Sequence, residues 1–598
     1  MARNKFDIDE TLEKDAEFNL KSLMRLRKYI APYTPLIAQT GVVTLISSLA
    51  GLAMPYIFKI AIDEALPPNN SNIPLIIALS VAMLALNWLS ALLLRKKILT
   101  MSRVGQGIIR DLRLALFEHL QRLPFSYYDS RPHGKILVRV VNYINSLSDM
   151  VSNGLINTLT DLFSLFVIII IMISLDARMA LVAMAGLPIL VAVTYFIKIN
   201  QREAWRENSA KQSNMNAYIH ESIAGMKVTQ SFAREEYNAN IFKSVTGLVR
   251  KTWLRACKIQ FLMWPSAENI SVWCTSFMYI MGAGWIAGGT LTVGALVAFA
   301  GYIGRFWGPI NNIANFYNSI MVNMTYLERV FEVLDEPVIV YDVPEARELP
   351  PIKGKVEFHN VTFAYDPGRP ILKDVSFKCG QGDTIALVGP TGAGKTTVVN
   401  LISRFYNLNR GVITIDGENI HEVTLHSLRA QMGIMLQDSF IFSGAIMDNI
   451  RYAKLDATDE EVIAAAKAVR AHEFIMEMED GYETEVNERG SRLSVGQRQL
   501  ISFARTLLAD PKILILDEAT SSIDTRTEIA LQKGLDELLK GRTAFVIAHR
   551  LSTIKNATAI MYISDGKISE VGTHDELISR PGLYKKLYDS QYAFLESA

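Results

Sequence analysis

Six stretches of the 598-residue chain, each at least 19 residues long, are almost free of charge: 32–58, 73–94, 151–174 with one acid, 179–197, 259–287 with one acid, and 306–326, which follows a mostly apolar approach from Val293. Inside a bilayer no water is available to backbone N–H and C=O groups, so a spanning segment must satisfy them within its own helix, and ~20 helical residues cross ~30 Å of hydrocarbon. Buried helices of a large soluble protein rarely supply six such stretches in half a chain. A membrane domain of six transmembrane helices is therefore predicted.

Basic residues alternate between the loops that join these stretches: ten in 95–139 and eleven in 198–258, against one in 59–72, one in 176–178 and none in 288–292. The positive-inside rule then places both long loops and both termini in the cytoplasm, with the protein in the cytoplasmic membrane and in contact with its lipid bilayer. Apolar spacing within the long loops is helical, so the spans are expected to continue out of the membrane as long extensions. Ahead of the first span, Leu20, Leu23, Met24 and Ile30 stand against Lys21, Arg25 and Lys28, the pattern of an interfacial helix or of an ordinary surface one. Residues 1–17 are polar and acidic-rich, without the apolar core of a cleavable signal peptide. A net charge of +1 with 20% charged residues gives no bulk argument for a nucleic-acid partner, and none is expected. Cys257, Cys274 and Cys379 stand singly, so neither a disulfide framework nor a zinc site is indicated.

The second half reads differently. Asp335-Glu336-Pro337 and then Leu349-Pro350-Pro351 mark a linker, and a boundary near 340 divides the chain into 1–339 and 340–598. Strand-like runs at 356–363 and 412–415 precede strand–helix alternation, which predicts an α/β nucleotide-binding domain. Within it, the apolar run Ile385-Ala386-Leu387-Val388 leads into Gly389-Pro390-Thr391-Gly392-Ala393-Gly394-Lys395-Thr396-Thr397, in the order strand, glycine loop, helix start. This is a P-loop: its glycines let backbone N–H groups converge on phosphate oxygens, Lys395 supplies charge for the β- and γ-phosphates, and the Thr396 hydroxyl can reach Mg²⁺. A second buried strand run, Ile513-Leu514-Ile515-Leu516, ends in Asp517 and Glu518. The first carboxylate suits the Mg²⁺ shell, and the second can orient or deprotonate a water in line with the γ-phosphate.

On these residues 340–598 resembles an ATP-binding-cassette (ABC) ATPase domain, and the whole chain is similar to a bacterial half-transporter of the ABC exporter class. The resemblance implies ATP and Mg²⁺ as cofactors and gives roles to further positions of this sequence. Tyr365 matches the aromatic that stacks on adenine, and Gln437 in Leu436-Gln437-Asp438 the Q-loop glutamine at the metal. Leu493-Ser494-Val495-Gly496-Gln497 matches the signature, residues 485–490 the exporter loop before it, residues 521–524 the D-loop, and His549 the switch histidine that joins Glu518 in catalysis. Tyr128-Asp129-Ser130-Arg131-Pro132-His133-Gly134-Lys135-Ile136 and Glu221-Ser222-Ile223-Ala224-Gly225-Met226-Lys227-Val228-Thr229-Gln230-Ser231-Phe232 are similar to the exporter segments that touch the ATPase domains, the coupling loops.

One position departs from the family. The usual signature has two glycines after its serine, and Val495 replaces the first of them. In the family this helix start faces the γ-phosphate on the opposite ATPase domain, so a β-branched residue there restricts the backbone and adds bulk beside the phosphate. The partner implied is a second ABC half-transporter subunit; an asymmetric heterodimer is favoured over a homodimer. The function implied is ATP-driven export of amphipathic small molecules of the multidrug type, with lipid or lipid-linked glycan flipping as the alternative. Asp161 and Glu268 fall inside spans, where an ionisable residue either faces a cavity or anchors a neighbouring helix.

Overall fold

The computed structural model describes residues 20–66, 72–131, 133–150, 154–366, 368–435, 439–487, 490, 492–517, 525–547 and 554–591. They fall into two compact units, Met1–Gln121 with His133–Glu336, and Arg122–Pro132 with Pro337–Ala598.

Among the described residues, six helices of the first unit are long and apolar enough to cross a membrane: Met24–Ala65, Ile73–Arg122, Ile156–Leu175, Ala177–Ala224, Glu235–Ala287 and Val293–Ile310. The 50-residue helix Ile73–Arg122 carries the second span well beyond any bilayer, as do Gly186–Ala224 and Glu235–Gln260, which lie against each other. The sixth apolar window, Val293–Ile310, opens the 42-residue helix Val293–Leu334 and takes in the apolar approach that leads into 306–326. The later stretch is uncharged, yet Asn311, Asn312, Asn315, Asn318 and Asn323 make it polar.

Small residues let these helices approach closely. A Cβ on Gly186 would lie 2.2 Å from Cys274 Sγ on the fifth span, and one on Gly282 would lie 2.6 Å from Leu296 Cδ1 on the sixth. Buried Tyr302 donates its hydroxyl to the Leu52 carbonyl at 2.9 Å, joining the sixth span to the first. The amphipathic helix Leu20–Ile30 turns into the first span through a 3₁₀ turn at Ala31–Tyr33. It is held by protein: Leu26 is 1% exposed, and the Arg25 guanidinium pairs with both carboxylate oxygens of Asp335 at 2.6 Å while lying over the Phe331 ring.

The described residues of the second unit form twelve strands: β1 Val356–Phe363, β2 Leu372–Cys379, β3 Thr384–Val388, β4 Arg410–Ile415, β5 Glu418–Asn419, β6 Met432–Met435, β7 Gly444–Ala445, β8 Glu485–Val486, β9 Ile513–Asp517, β10 Thr543–Ile547, β11 Ala559–Ser564 and β12 Lys567–Gly572. An antiparallel sheet runs β2-β1-β4-β5, and a six-stranded sheet runs β12-β11-β3-β10-β9-β6. In the latter β11, β3, β10, β9 and β6 are mutually parallel. Strand β10, with every residue buried, explains why its sequence Thr543-Ala544-Phe545-Val546-Ile547 lacks polar alternation. The P-loop helix Lys395–Ile402 packs with β1, β2 and the β3 face, and the helix Val495–Leu508 belongs to a separate core with Leu531, Leu535 and Leu538.

Helix Val293–Leu334 starts on a fixed carboxylate. Asp63 accepts from the Gly294 N–H at 2.8 Å and the Thr292 hydroxyl at 2.7 Å, and Lys59 lies 3.5 Å away. Asp63→Ala should therefore cost about 1–2 kcal/mol, the worth of a helix cap with a charged acceptor. The check is thermal unfolding of the detergent-solubilised protein; an unchanged midpoint would show that the cap is dispensable.

Candidate nucleotide site

The glycine loop leaves β3 in a conformation that side chains resist. Gly389, Gly392 and Gly394 have φ of +143°, +82° and +108°. A Cβ on Gly389 would sit 2.2 Å from the Ile563 carbonyl oxygen of β11, so the loop hugs the neighbouring strand. Gly394 is the N-cap of helix Lys395–Ile402, whose first N–H groups point back at the loop. The Lys395 ammonium arches over that loop and donates to the Gly389 carbonyl at 2.8 Å and the Pro390 carbonyl at 3.0 Å. Burial pushes its pKa below the usual lysine range, with the charge of Asp517 pulling the other way. A glycine cradle, a helix N-terminus and a partly buried ammonium together fit a polyphosphate.

Register places the second half of the site. Ile547 of β10 pairs with Leu387 of β3 on one side and with Asp517 of β9 on the other. Asp517 thus stands in the same row as the strand end that feeds the loop, two strands away, or ~10 Å. Ligand sites of open parallel sheets lie outside such carboxyl ends. Thr396 is exposed in the first turn of the loop helix. Among the described residues no group of three or more His, Cys, Asp or Glu could hold a metal ion. One hydroxyl and one carboxylate beside a phosphate cradle match the oxygen chemistry of Mg²⁺, which takes much of its shell from phosphates and water.

Tyr365 is brought to this loop. Its hydroxyl lies 3.2 Å from Thr397 Oγ1, and its ring meets Phe363 and Tyr406 edge-on at 4.9 and 5.0 Å. Tyr406 was not singled out by sequence; the signal was an aromatic pair, Phe405-Tyr406, immediately past the P-loop helix. Ser494 caps helix Val495–Leu508 in a capping box: its side chain accepts from the Gln497 N–H at 3.2 Å, and its own N–H donates to Gln497 Oε1 at 2.9 Å. Val495 is the first residue of that helix, outside the positive-φ residues, and Gly496 behind it is buried. Helical backbone suits valine, so the expected backbone restriction carries little penalty here; what remains is the bulk of a 48% exposed side chain. Gln437, Glu518, His549 and the D-loop 521–524 lie outside the described residues. The chain reaches Glu518 one residue after Asp517 of β9 and His549 two residues after Ile547 of β10.

In the membrane unit, Asp161 is brought near Asn312 and Lys97, and Lys97 donates to Asn157 one turn earlier at 2.7 Å. This polar group ties three helices together. Glu268 is exposed on the fifth. On the same helix Met278 is fully buried while Trp264, Trp273 and Phe277 are exposed.

Residues 37–310 match the family model described as ABC transporter transmembrane region, and residues 372–521 match the one described as ABC transporter. The chain is 44% identical over 592 residues to an uncharacterized ABC transporter ATP-binding protein, YknV, of Bacillus subtilis (strain 168), covering 98% of this chain and 97% of that one. A putative multidrug export ATP-binding/permease protein of the same organism, YgaD, is 37% identical, covering 95% and 99%. An ATP-dependent lipid A-core flippase of Desulfotalea psychrophila is 35% identical, covering 96% and 100%. Among solved structures, a bacterial Atm1-family ABC exporter with ATP bound superposes with a TM-score of 0.77 at 29% identity, covering 94% of this chain and 99% of that one.

The glycine geometry predicts two different outcomes for one kind of substitution. Gly389→Ala must push against backbone and should abolish binding of a fluorescent ATP analogue, whereas Gly392→Ala meets nothing within 4 Å and should weaken it mildly through φ alone. Equal affinities in the two variants would contradict the loop conformation.

Proposed function

This chain belongs to the ABC transporter family, an ATP-driven exporter half-transporter of the kind that works as a dimer, and we propose that it moves amphipathic compounds of the multidrug type out across the cytoplasmic membrane as one half of a heterodimer. Both termini and the ATPase domain, residues 340–598, face the cytoplasm in this reading, which rests on the alternation of basic loops. Exposed Trp264, Trp273 and Phe277 and the name of the YgaD relative favour apolar cargo. The flippase relative favours the second reading, a lipid or lipid-linked glycan as cargo.

In the proposed chemistry the P-loop N–H groups and Lys395 bind the phosphates, and Tyr365 stacks on the base. Thr396, Asp517 and Gln437 hold Mg²⁺, which when bound neutralises charge on the transferred phosphoryl group. Glu518 orients and deprotonates the attacking water, and His549 holds the γ-phosphate side of the site. Ser494, Val495, Gly496 and Gln497 present their helix N-terminus to the nucleotide of the partner subunit. The coupling segments around Asp129 and 221–232 carry the signal; Ile223, Val228 and Phe232 stand exposed in the second of them, as a docking segment requires.

The observation that carries the asymmetry is Val495, whose exposed side chain occupies the helix start that faces the partner's phosphate, while Lys395, Thr396 and Asp517 of this chain keep their P-loop chemistry. Glu518→Gln should leave ATP binding intact and slow hydrolysis by ~10²-fold or more, since an amide can position water and cannot accept its proton. Hydrolysis near the wild-type rate in the purified complex would remove Glu518 from the mechanism. Expressed alone, the chain should fail to form a transporting assembly and should recover function with a second cassette protein of different sequence. A monodisperse two-copy assembly that exports a fluorescent amphipathic dye from vesicles would establish the homodimer instead.

A further inference from the structure

The chain passes into the second unit twice, through Arg122–Pro132 and at Pro337. Four consecutive residues, 404–407, hold both of these segments. They follow helix Lys395–Ile402, the helix that the P-loop opens. The Tyr406 hydroxyl donates to Asp129 Oδ2 at 2.6 Å, and the Phe405 ring stacks on Phe125 with centroids 5.2 Å apart. Toward the later segment, Arg404 Nη2 donates to the Tyr341 carbonyl at 2.8 Å and Asn407 Nδ2 to the Ile339 carbonyl at 2.6 Å. Two residues thus serve each segment.

This turn carries strain. Arg404 has a φ of +49°, in the left-handed region, and is 2% exposed. Its Nη1 donates to the Ile420 and Val423 carbonyls, so with Tyr341 the guanidinium serves three backbone oxygens. Burial lowers its pKa from the usual arginine range, opposed by the charge of Asp342. A buried charge on a left-handed backbone persists only where its surroundings over-determine it. Here they do: Arg429 Nη2 donates to the Arg404 carbonyl at 2.8 Å, and the Arg429 guanidinium lies 5.1 Å over the Phe405 ring. Tyr406 also meets the Tyr365 ring edge-on, and Tyr365 in turn reaches Thr397. A packed chain of side chains therefore runs from the P-loop helix and the base-stacking aromatic to Asp129.

We infer that residues 404–407 form a positioning hub that delivers displacement of the P-loop helix to both segments at once, with Tyr406–Asp129 as its polar latch. The inference rests on the nucleotide reading above. A rigid helix followed by an over-determined turn moves as one piece, and two segments gripped by adjacent residues have to follow it together.

The test uses the full-length dimeric transporter in lipid vesicles with ATP as the ligand. Hydrogen exchange is followed in 122–131 and 337–342, alongside ATP hydrolysis and export of a fluorescent amphipathic dye. Tyr406→Phe keeps the ring and removes only the donor; Asp129→Asn removes the charge of the acceptor. Each should leave the KM for ATP and basal hydrolysis near wild type and lower dye export per ATP by about ten-fold, the worth of one hydrogen bond to a charged group. Each should also abolish the ATP-dependent change in exchange over 122–131, and the double variant should be no worse than either single one. Asn407→Ala should loosen 337–342 and leave 122–131 responsive. The hub is overturned if exchange over 122–131 responds to ATP equally in wild type and Tyr406→Phe, or if the two single effects multiply. A wild type that exports no dye yet shows the latch-dependent exchange response would remove the cargo reading and support the hub.

Discussion

The contact between Gly389 and the Ile563 carbonyl fixes most of what the second unit can do. Because Gly389 has no side chain, the chain leaves β3 against β11, where a Cβ would come within 2.2 Å of that oxygen. From this point the loop has one course: two more positive-φ glycines, then the helix start at Lys395. Burial of Lys395 and the approach of Tyr365 to Thr397 belong to this course, while the separate register of β3, β10 and β9 brings Asp517 level with the strand that feeds it. Just past the end of the same helix, residues 404–407 take their place from the same strand end.

The membrane unit depends on a different constraint with a similar outcome. Where backbone groups are satisfied within long helices, side chains decide only how closely those helices approach. Gly186 and Gly282 set two of these approaches, and Tyr302 to the Leu52 carbonyl sets a third. Polar groups inside the spans and at their ends are then drawn to one another, as Lys97 is to Asn157 beside Asp161.

Much of this was legible in the chain because it is local. The P-loop, the buried run before Asp517 and the six apolar stretches are each contained within a few tens of residues, and each is a consequence of backbone hydrogen bonding or glycine geometry. What escaped was made by contacts distant in sequence. Leu26, buried at 1% exposure, could not be told from the exposed Met24 near it until Asp335 and Phe331 were known to receive Arg25. The sixth span is legible as the uncharged run 306–326 with its apolar approach from Val293, although the five asparagines between 311 and 323 make its later part polar. Nothing local in the sequence singles out Tyr406, because its partner, Asp129, lies 277 positions away.

Val495 separates two demands that a signature residue normally meets together. As the first residue of helix Val495–Leu508, behind a serine cap, it needs only helical backbone, and there glycine is the poorer choice by about a few tenths of a kcal/mol. Folding of this chain therefore does not resist valine at 495. The capping box of Ser494 and Gln497 is formed with valine in place, so the helix N-terminus keeps its orientation and its dipole. In the proposed dimer the cost of the exposed side chain would fall on the nucleotide that approaches that N-terminus from the other subunit. A substitution neutral within one chain and felt only across an interface is of the kind that two unlike subunits tolerate at one of their two sites, while two like subunits would bear it at both.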